Sequence, residues 1–150
     1  MMRLWNKSLI PYLPRQQLLG QWRECCLIAK NIAENGTPNH LLVNKIMNYP
    51  PQHFYQYTKM VLEEINNRGY KYKAESYNNF INNMNMNRVA SNFFDYVSFE
   101  KLFSNWHNAR YLNQCMYNLE EKHDCGGITD DEWYVLLGGY KEITGKDWKT

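Results

Sequence analysis

Residues 13–36, LPRQQLLGQWRECCLIAKNIAENG, decide the fold class of this 150-residue chain. Pro14 suits the first helical position, because the N–H that proline lacks would have no partner there. Asn35 and Gly36 then form a typical helix C-cap signal. At 100° per residue the stretch predicts an amphipathic helix over 14–34. Its apolar side holds Leu18, Leu19, Trp22, Cys25, Cys26 and Ala29, and its polar side holds Gln17, Gly20, Gln21 and Glu24.

The rest of the chain repeats this helical pattern, with proline or glycine between segments. No run of alternating β-branched residues calls for a sheet. Thr129, with Glu132 three residues later, is a capping box that opens the last helix. We therefore predict an all-α, mainly helical, compact single domain over 1–150, with about five to seven helices and its N-terminal segment packed against helix 14–34. The further predicted helices are 37–49, 52–68, 76–87, 110–122 and one from 129, with 93–103 open between a loop and a helix start at Ser98.

The composition indicates a folded globular protein that carries more aromatic residues than one core uses. Hydrophobic residues make up 44% and charged residues 21%, and the chain has 12 Tyr, 6 Phe and 5 Trp. Some rings should therefore reach the surface, where Tyr and Trp can stack on nucleobases or contact proteins.

The charge is unevenly distributed along the chain, although the net charge is only +2. Residues 1–75 hold ten Lys/Arg against five Asp/Glu, and residues 76–150 hold seven against ten. The bias suggests one cationic face, unless the two halves do not correspond to faces of the fold.

The four cysteines and the apolar runs set the expected compartment. The cysteines form no CxxC pair, so free thiols in a reducing cytoplasm are the simpler reading. No signal peptide is expected, because charges and prolines interrupt every apolar run near the N-terminus. No membrane span is expected, because no apolar run approaches ~20 residues. Neither metal nor organic cofactor is expected. The spacing of His107, Cys115, His123 and Cys125 fits no common zinc pattern, and nothing places a Cys25 nucleophile beside His40 or His53.

The segment from Leu13 to Glu24, which ends in the triplet Trp22-Arg23-Glu24, resembles the catalytic helix of the pyrimidine-dimer DNA glycosylases of the phage endonuclease V type. Met2-Arg3-Leu4 falls where the mature N-terminus of that family would lie. A weaker similarity runs from Tyr57 into Arg68-Gly69-Tyr70. The segment from His107 to Gly127 resembles a bacterial branch of the same superfamily.

The resemblance implies a DNA repair glycosylase with abasic-site lyase activity on damaged or modified pyrimidines. The amine of Met1, or of Met2 if translation starts there, would attack the sugar and form an imine. Glu24 would stabilise oxocarbenium charge and move protons. Gly20, one turn earlier, would let the DNA approach the helix closely. The expected DNA-binding residues are Arg3, Arg15, Gln16, Gln17, Gly20, Arg23, Arg68, Lys71 and Lys73. Among them Arg3, Arg15 and Arg23 would hold phosphates.

The expected partner is double-stranded DNA with a damaged or modified base, bound by a monomer. Two other classes stay open. One is a non-catalytic nucleic-acid-binding module on the same fold. The other is a protein-interaction module that uses the surplus tyrosines. In either case Arg23 and Glu24 could form a solvated helix face, and Arg68 to Lys73 an ordinary helix end.

Overall fold

The computed structural model describes residues 3–86 and 96–148, without the side chains of residues 85 and 86. Within these ranges the chain forms five α-helices, two 3₁₀ helices and no strand, as the all-α prediction requires. The α-helices are α1 (Arg15–Asn35), α2 (Pro51–Asn67), α3 (Ala74–Met86), α4 (Ala109–Asp124) and α5 (Asp130–Thr144). The 3₁₀ helices span Lys7–Tyr12 and Val43–Asn48.

Helix α1 begins and ends where the sequence predicts. Pro14 is its N-cap residue, and Gly36 adopts a left-handed conformation (φ +79°) at the C-cap. The N–H of Gly36 donates to the Ile32 carbonyl at 2.8 Å, which satisfies an otherwise unpaired group at the helix end. Residues 18, 22, 25 and 29 of the predicted apolar side are buried.

The predicted helix over 37–49 is wrong. Only Val43–Asn48 is helical there, and it is a 3₁₀ helix. Asn39 has φ +60°, a left-handed conformation that interrupts any α-helix through this segment. The tertiary structure also adds the unpredicted 3₁₀ helix Lys7–Tyr12, whose N-cap residue Asn6 accepts a hydrogen bond from the N–H of Ser8.

The remaining helices agree with the prediction within a few residues. The capping box at Thr129 and Glu132 is present at the start of α5. Ser98 begins turns instead of a helix, and its carbonyl accepts from the N–H of Lys101 and of Leu102. Residues 93–95 of the open segment and residue 87 of the predicted helix 76–87 lie outside the described residues.

The core lies between α1 and the helices that pack on it. Trp22 of α1 contacts the rings of Tyr72 and Phe80, at centroid distances of 5.6 and 5.9 Å. Phe80 in turn contacts Phe54 of α2 at 5.7 Å. Burial of such aromatic side chains supplies a large share of the folding free energy. Some rings do reach the surface, as predicted: Tyr96, Tyr117 and Tyr134 are exposed.

Helix α5 packs tightly against the first 3₁₀ helix. A Cβ atom placed on Gly139 would overlap the ring of Tyr12, so only glycine allows this approach. The contact joins the C-terminal half of the chain to the segment that precedes α1.

A buried cation and a buried imidazole tie the N-terminal segment to residues 99–107. Lys7 Nζ donates to the carbonyls of Leu102, at 2.7 Å, and of Phe99. Its backbone N–H donates to Nδ1 of His107 at 2.9 Å. Burial, and then the Lys7 charge, lower the pKa of His107 to about 3, so the ring is neutral near neutral pH.

Among the residues described, no helix combines the length and the apolar character that crossing a membrane requires.

Candidate active site

Side chains of three helices hold the extended segment before the first 3₁₀ helix. The N–H of Arg3 donates to Oε2 of Glu24 at 2.9 Å, and the Arg3 carbonyl accepts from Nε2 of Gln21 at 2.8 Å. The N–H of Trp5 donates to Oε1 of Gln21 at 2.7 Å. Each of these backbone groups has a fixed partner, so residues 3–5 are held in one position against α1, as predicted for the N-terminal segment.

Two buried tyrosines complete this support. Tyr57 of α2 donates from its hydroxyl to the Trp5 carbonyl, at 2.5 Å, and lies 3.0 Å from Oε1 of Gln21. Tyr111 of α4 donates to the Leu4 carbonyl at 2.6 Å. Burial raises the pKa of both phenols, so both remain protonated donors over the physiological range.

Glu24 lies half-buried on α1, beside the N-terminal segment. Burial raises the pKa of its carboxyl group, because a charge is less stable away from water. The Arg3 N–H opposes this effect by donating to the carboxylate. Such a group can exchange a proton closer to neutral pH than an exposed glutamate can.

A cleft of about 310 Å³ opens beside Glu24. The sequence predicted four of the residues that line it: Arg3, Gln17, Gly20 and Glu24. Oε1 of Gln17 is buried there without a hydrogen-bond partner among the described residues. The structure therefore brings together, around one cavity, the first arginine and the polar face of α1.

The opposite wall of the cleft comes from α4, which sequence reasoning did not assign to the site. Asn118, Glu121 and Lys122 line it, and Trp5 and Gln21 line the side of the N-terminal segment. The spacing of positions 118, 121 and 122 places them on one helix face, so periodicity could have grouped them. It could not have shown that this face meets α1.

Gly20 forms an open part of the cleft lining. A Cβ atom there would meet only Nη2 of Arg23, at an ordinary 3.6 Å, so packing within the protein does not require glycine. Tight helix packing therefore does not account for Gly20, and the missing side chain leaves space for a ligand to approach α1.

The remaining basic and amide residues of α1 line a second groove of about 580 Å³, which shares Gln17 with the cleft. Arg15, Gln16 and Arg23 are exposed there. Gly126 and Gly127, after α4, line the other side. The two cavities together form one surface along the N-terminal half of α1.

The cations near the end of α2 have different environments. Arg68 is used within the fold: Nε donates to Glu64 at 2.7 Å, Nη1 to the Leu13 carbonyl at 2.7 Å, and Nη2 to the Pro11 carbonyl at 3.0 Å. Lys71 and Lys73 are exposed in the segment between α2 and α3. None of the three lines the cleft, and Met1 and Met2 lie outside the described residues.

The alternative nucleophile is poorly placed for chemistry. The Cys25 thiol is buried, and burial raises its pKa well above the usual range, which disfavours the reactive thiolate. Among residues 3–86 and 96–148, no three His, Cys, Asp or Glu side chains group in a way that could hold a metal ion.

Comparison with known families gives a match over the first half of the chain. A family model described as pyrimidine dimer DNA glycosylase matches residues 2–78, just over half of the chain. The chain belongs to this family. The pyrimidine dimer DNA glycosylases are DNA repair enzymes, and the matched range contains Glu24, Gly20 and the arginines of α1. No curated protein and no solved structure matches the chain. Helix α4 lies outside the matched range, so the resemblance of that region to a bacterial branch stays a prediction.

Proposed function

We propose that this glycosylase excises damaged or modified pyrimidines, pyrimidine dimers among them, and cleaves the resulting abasic site through its N-terminal amine. The observation that carries the proposal is the hydrogen bond from the Arg3 N–H to Glu24 at the edge of the cleft. It fixes residue 3 beside a half-buried carboxylate.

Chain geometry limits how far the amine can lie from this carboxylate. One residue spans at most roughly 3.6 Å. In a chain that begins at Met2 the amine is therefore within about 4 Å of the Arg3 nitrogen, and in one that begins at Met1 within about 7 Å. Either distance is short enough for the amine to reach the cleft that Arg3 lines.

The reaction needs an amine in its neutral form. An α-amino group has an ordinary pKa of about 7.7–8.0, so a useful fraction is neutral near pH 7. Its lone pair forms a bond to C1′ while the bond to the base breaks, and the base leaves with that electron pair and takes up a proton. Opening of the sugar ring then gives an imine between the amine and C1′.

The imine makes strand cleavage possible because it accepts electrons. Loss of a proton from C2′ forms a double bond between C2′ and C3′, and the 3′ phosphate leaves with the electron pair of the C3′–O bond. Glu24 is the proposed proton acceptor in this step, and its carboxylate also stabilises positive charge on the sugar during base loss. Its raised pKa suits a group that takes up and returns a proton.

The groove beside the cleft suits the flanking DNA backbone. Arg15, Gln16 and Arg23 are exposed residues of its lining. Arginine binds phosphate through two parallel hydrogen bonds, so a strand that follows the groove would carry its target nucleotide to Glu24. Extrusion of that nucleotide from the duplex would give the amine access to C1′.

The proposed DNA contacts keep Arg3, Arg15, Gln16, Gln17, Gly20 and Arg23. Lys122 joins them from α4, because this basic residue lines the same cleft. Lys71 and Lys73 stay as proposed contacts to more distant phosphates. Arg68 is left out, because its donors already bind carbonyls and Glu64.

Borohydride trapping tests the proposal. The protein is incubated with a duplex that carries one abasic site, reduced, and examined on a denaturing gel and by mass spectrometry. We expect a covalent adduct on the N-terminal residue of the wild type, and none after N-terminal acetylation, which blocks the amine. Glu24→Gln should bind the duplex with unchanged affinity and lose strand cleavage.

The matched control is Glu34→Gln, an exposed glutamate later on α1 that does not line the cleft. It should cleave like the wild type. Salt-dependent binding without adduct or cleavage would instead support the non-catalytic nucleic-acid-binding module. No binding at low salt would support the protein-interaction module.

A further inference from the structure

A further groove lies between α1 and α3, beyond the candidate active site along α1. This α1–α3 groove has a volume of about 420 Å³. Its wall on α1 consists of Cys26, Leu27, Lys30 and Glu34. Its wall on α3 is polar throughout and consists of Ser76, Asn79, Asn82 and Asn83. None of these residues lines the cleft or the groove that contains Arg15 and Arg23.

The α1–α3 groove lies on the exposed face of α1 that also carries Arg23. Gln16, Arg23 and Lys30 follow one another at intervals of seven residues, which is close to two helical turns, so they form one row. All three are exposed. At 1.5 Å per residue the row is roughly 21 Å long. The groove of the proposed DNA backbone contacts and the α1–α3 groove are therefore successive parts of one surface along α1.

The side chains of the α1–α3 groove suit the sugar–phosphate backbone of DNA. Lys30 is exposed, and none of the ion pairs among the described residues includes it. Asn79 and Asn82 are exposed and lie three residues apart, so their amides share one face of α3. Lysine and asparagine are among the donors that proteins use for phosphate and sugar oxygens. Glu34 lies one turn beyond Lys30, at the far end of the groove, and is not among the proposed contacts.

The position of Glu24 along α1 separates the two sets of contacts. Arg15 and Gln16 precede Glu24 by roughly 13 and 12 Å, whereas Lys30 follows it by roughly 9 Å. Because B-DNA rises about 3.4 Å per base pair, 9 Å corresponds to about three base pairs. A strand that runs along α1 with its target nucleotide at Glu24 therefore meets Arg15 on one flank and Lys30 on the other.

We propose that the α1–α3 groove binds the DNA backbone on the flank of the target nucleotide opposite to the flank held by Arg15. Lys30 binds a phosphate there, and Asn79 and Asn82 donate to phosphate or sugar oxygens. The inference rests on the proposed function for the identity of the ligand. Contacts on both flanks fix the target nucleotide along α1, opposite Glu24, which contacts on one flank alone do not achieve.

The salt dependence of DNA binding tests the proposal. The ligand is a duplex with one tetrahydrofuran abasic analogue, which cannot form an imine, so binding is measured without cleavage. Lys30→Gln should lower the slope of log Kd against log salt concentration by about 0.9, the value for one phosphate contact. The matched control is Lys45→Gln, because Lys45 is exposed and lines neither groove nor the cleft. The control should keep the wild-type slope.

The double variant Asn79→Ala/Asn82→Ala separates the neutral donors from the charge. It should weaken binding roughly 10-fold, the effect of losing two hydrogen bonds, without changing the slope, because a neutral side chain releases no counterion. Wild-type affinity and slope in both Lys30→Gln and the double variant would overturn the proposal.

Shortened duplexes test on which flank the contact lies. Each flank of the analogue is cut back in turn to about two base pairs, less than the distance of about three base pairs to Lys30. The wild type should lose affinity with either cut, and Lys30→Gln should lose affinity with only one of them. Equal losses in Lys30→Gln with both cuts would contradict the placement. An absence of trapped adduct with bound DNA would remove the proposed lyase chemistry alone, since these binding measurements do not depend on it.

Discussion

Replacement of Gln21 by leucine tests whether the N-terminal segment is held mainly by side chains of α1. Leucine keeps nearly the size of glutamine but removes the amide. The amide oxygen of Gln21 accepts from the Trp5 N–H, and its amide nitrogen donates to the Arg3 carbonyl. Gln21 itself is only 1% exposed, so water does not replace it readily. The substitution therefore leaves two backbone groups without partners.

The expected loss of stability follows from where these two groups lie. The bond to the Trp5 N–H is fully buried, so leaving that donor unpaired costs about 1–3 kcal/mol. The bond to the Arg3 carbonyl is partly buried, and water can satisfy some of that group, so about 1 kcal/mol is expected there. Tyr57 still donates to the Trp5 carbonyl, which limits the damage. The free energy of unfolding should fall by about 2–4 kcal/mol.

The assay is urea denaturation of Gln21→Leu beside Gln16→Leu, an exposed neighbour on α1 that should change stability by less than about 0.5 kcal/mol. Imine trapping under folding conditions follows, and the yield should fall about 100-fold in Gln21→Leu, because a small displacement of a reacting group has effects of that size. A change below about 1 kcal/mol for Gln21→Leu would show that these hydrogen bonds do not fix the segment, and would refute the reasoning.

Three further predictions concern the site carboxylate, acid sensitivity and packing. Burial raises the pKa of Glu24, so ionisation of this carboxyl group opposes folding above that pKa. Glu24→Gln should therefore have a higher free energy of unfolding than the wild type at pH 7. The difference should vanish at pH values where the carboxyl is protonated in both the folded and the unfolded chain. The pKa of His107 is lowered to about 3 in the folded chain, so the unfolded chain binds more protons below about pH 6.5. The free energy of unfolding of the wild type should therefore fall by about 2 kcal/mol between pH 7 and pH 5, and that of His107→Gln should fall correspondingly less in parallel denaturation experiments. Equal losses in the two proteins would contradict the assignment. Gly139→Ala should lower the free energy of unfolding by about 1–3 kcal/mol through overlap with Tyr12, while Gly138→Ala, where a Cβ meets nothing within 4 Å, should be neutral or slightly stabilising by thermal denaturation.

The helices could be predicted where a segment carries its own start, stop and apolar period. Helix α1 has Pro14 before it, Gly36 after it and a buried face between them, and α5 has its capping box. These signals are local, so tertiary contacts only confirm them. The segment 37–49 does not carry local signals that determine its conformation. Its conformation depends on Asn31 holding Pro38 and on Asn44 holding His40, contacts that no periodicity in the segment encodes.

The residues of the candidate site also fall into two groups, those that the sequence predicted and those that only the structure places at the cleft. The resemblance to the glycosylase family predicted Glu24, Gly20, Gln17 and Arg3, and the helical period places the first three on one face of α1. Arg68 matched the expected cationic pattern equally well, yet its guanidinium binds carbonyls of residues 10–13. A cationic side chain at a helix end has the same sequence signature whether it faces solvent or the backbone of a neighbouring segment.

The sequence by itself determined the helical class, the bounds of α1 and the identity of the carboxylate on its polar face, because these depend on residues within a few turns of one another. Only the tertiary structure decided that the Arg3 N–H bonds to Glu24 and that α4 forms the second wall of the cleft. Those relations join residues from 21 to about 100 positions apart. They are fixed by how the helices pack and by which buried polar groups must find partners, and neither is written in any one segment.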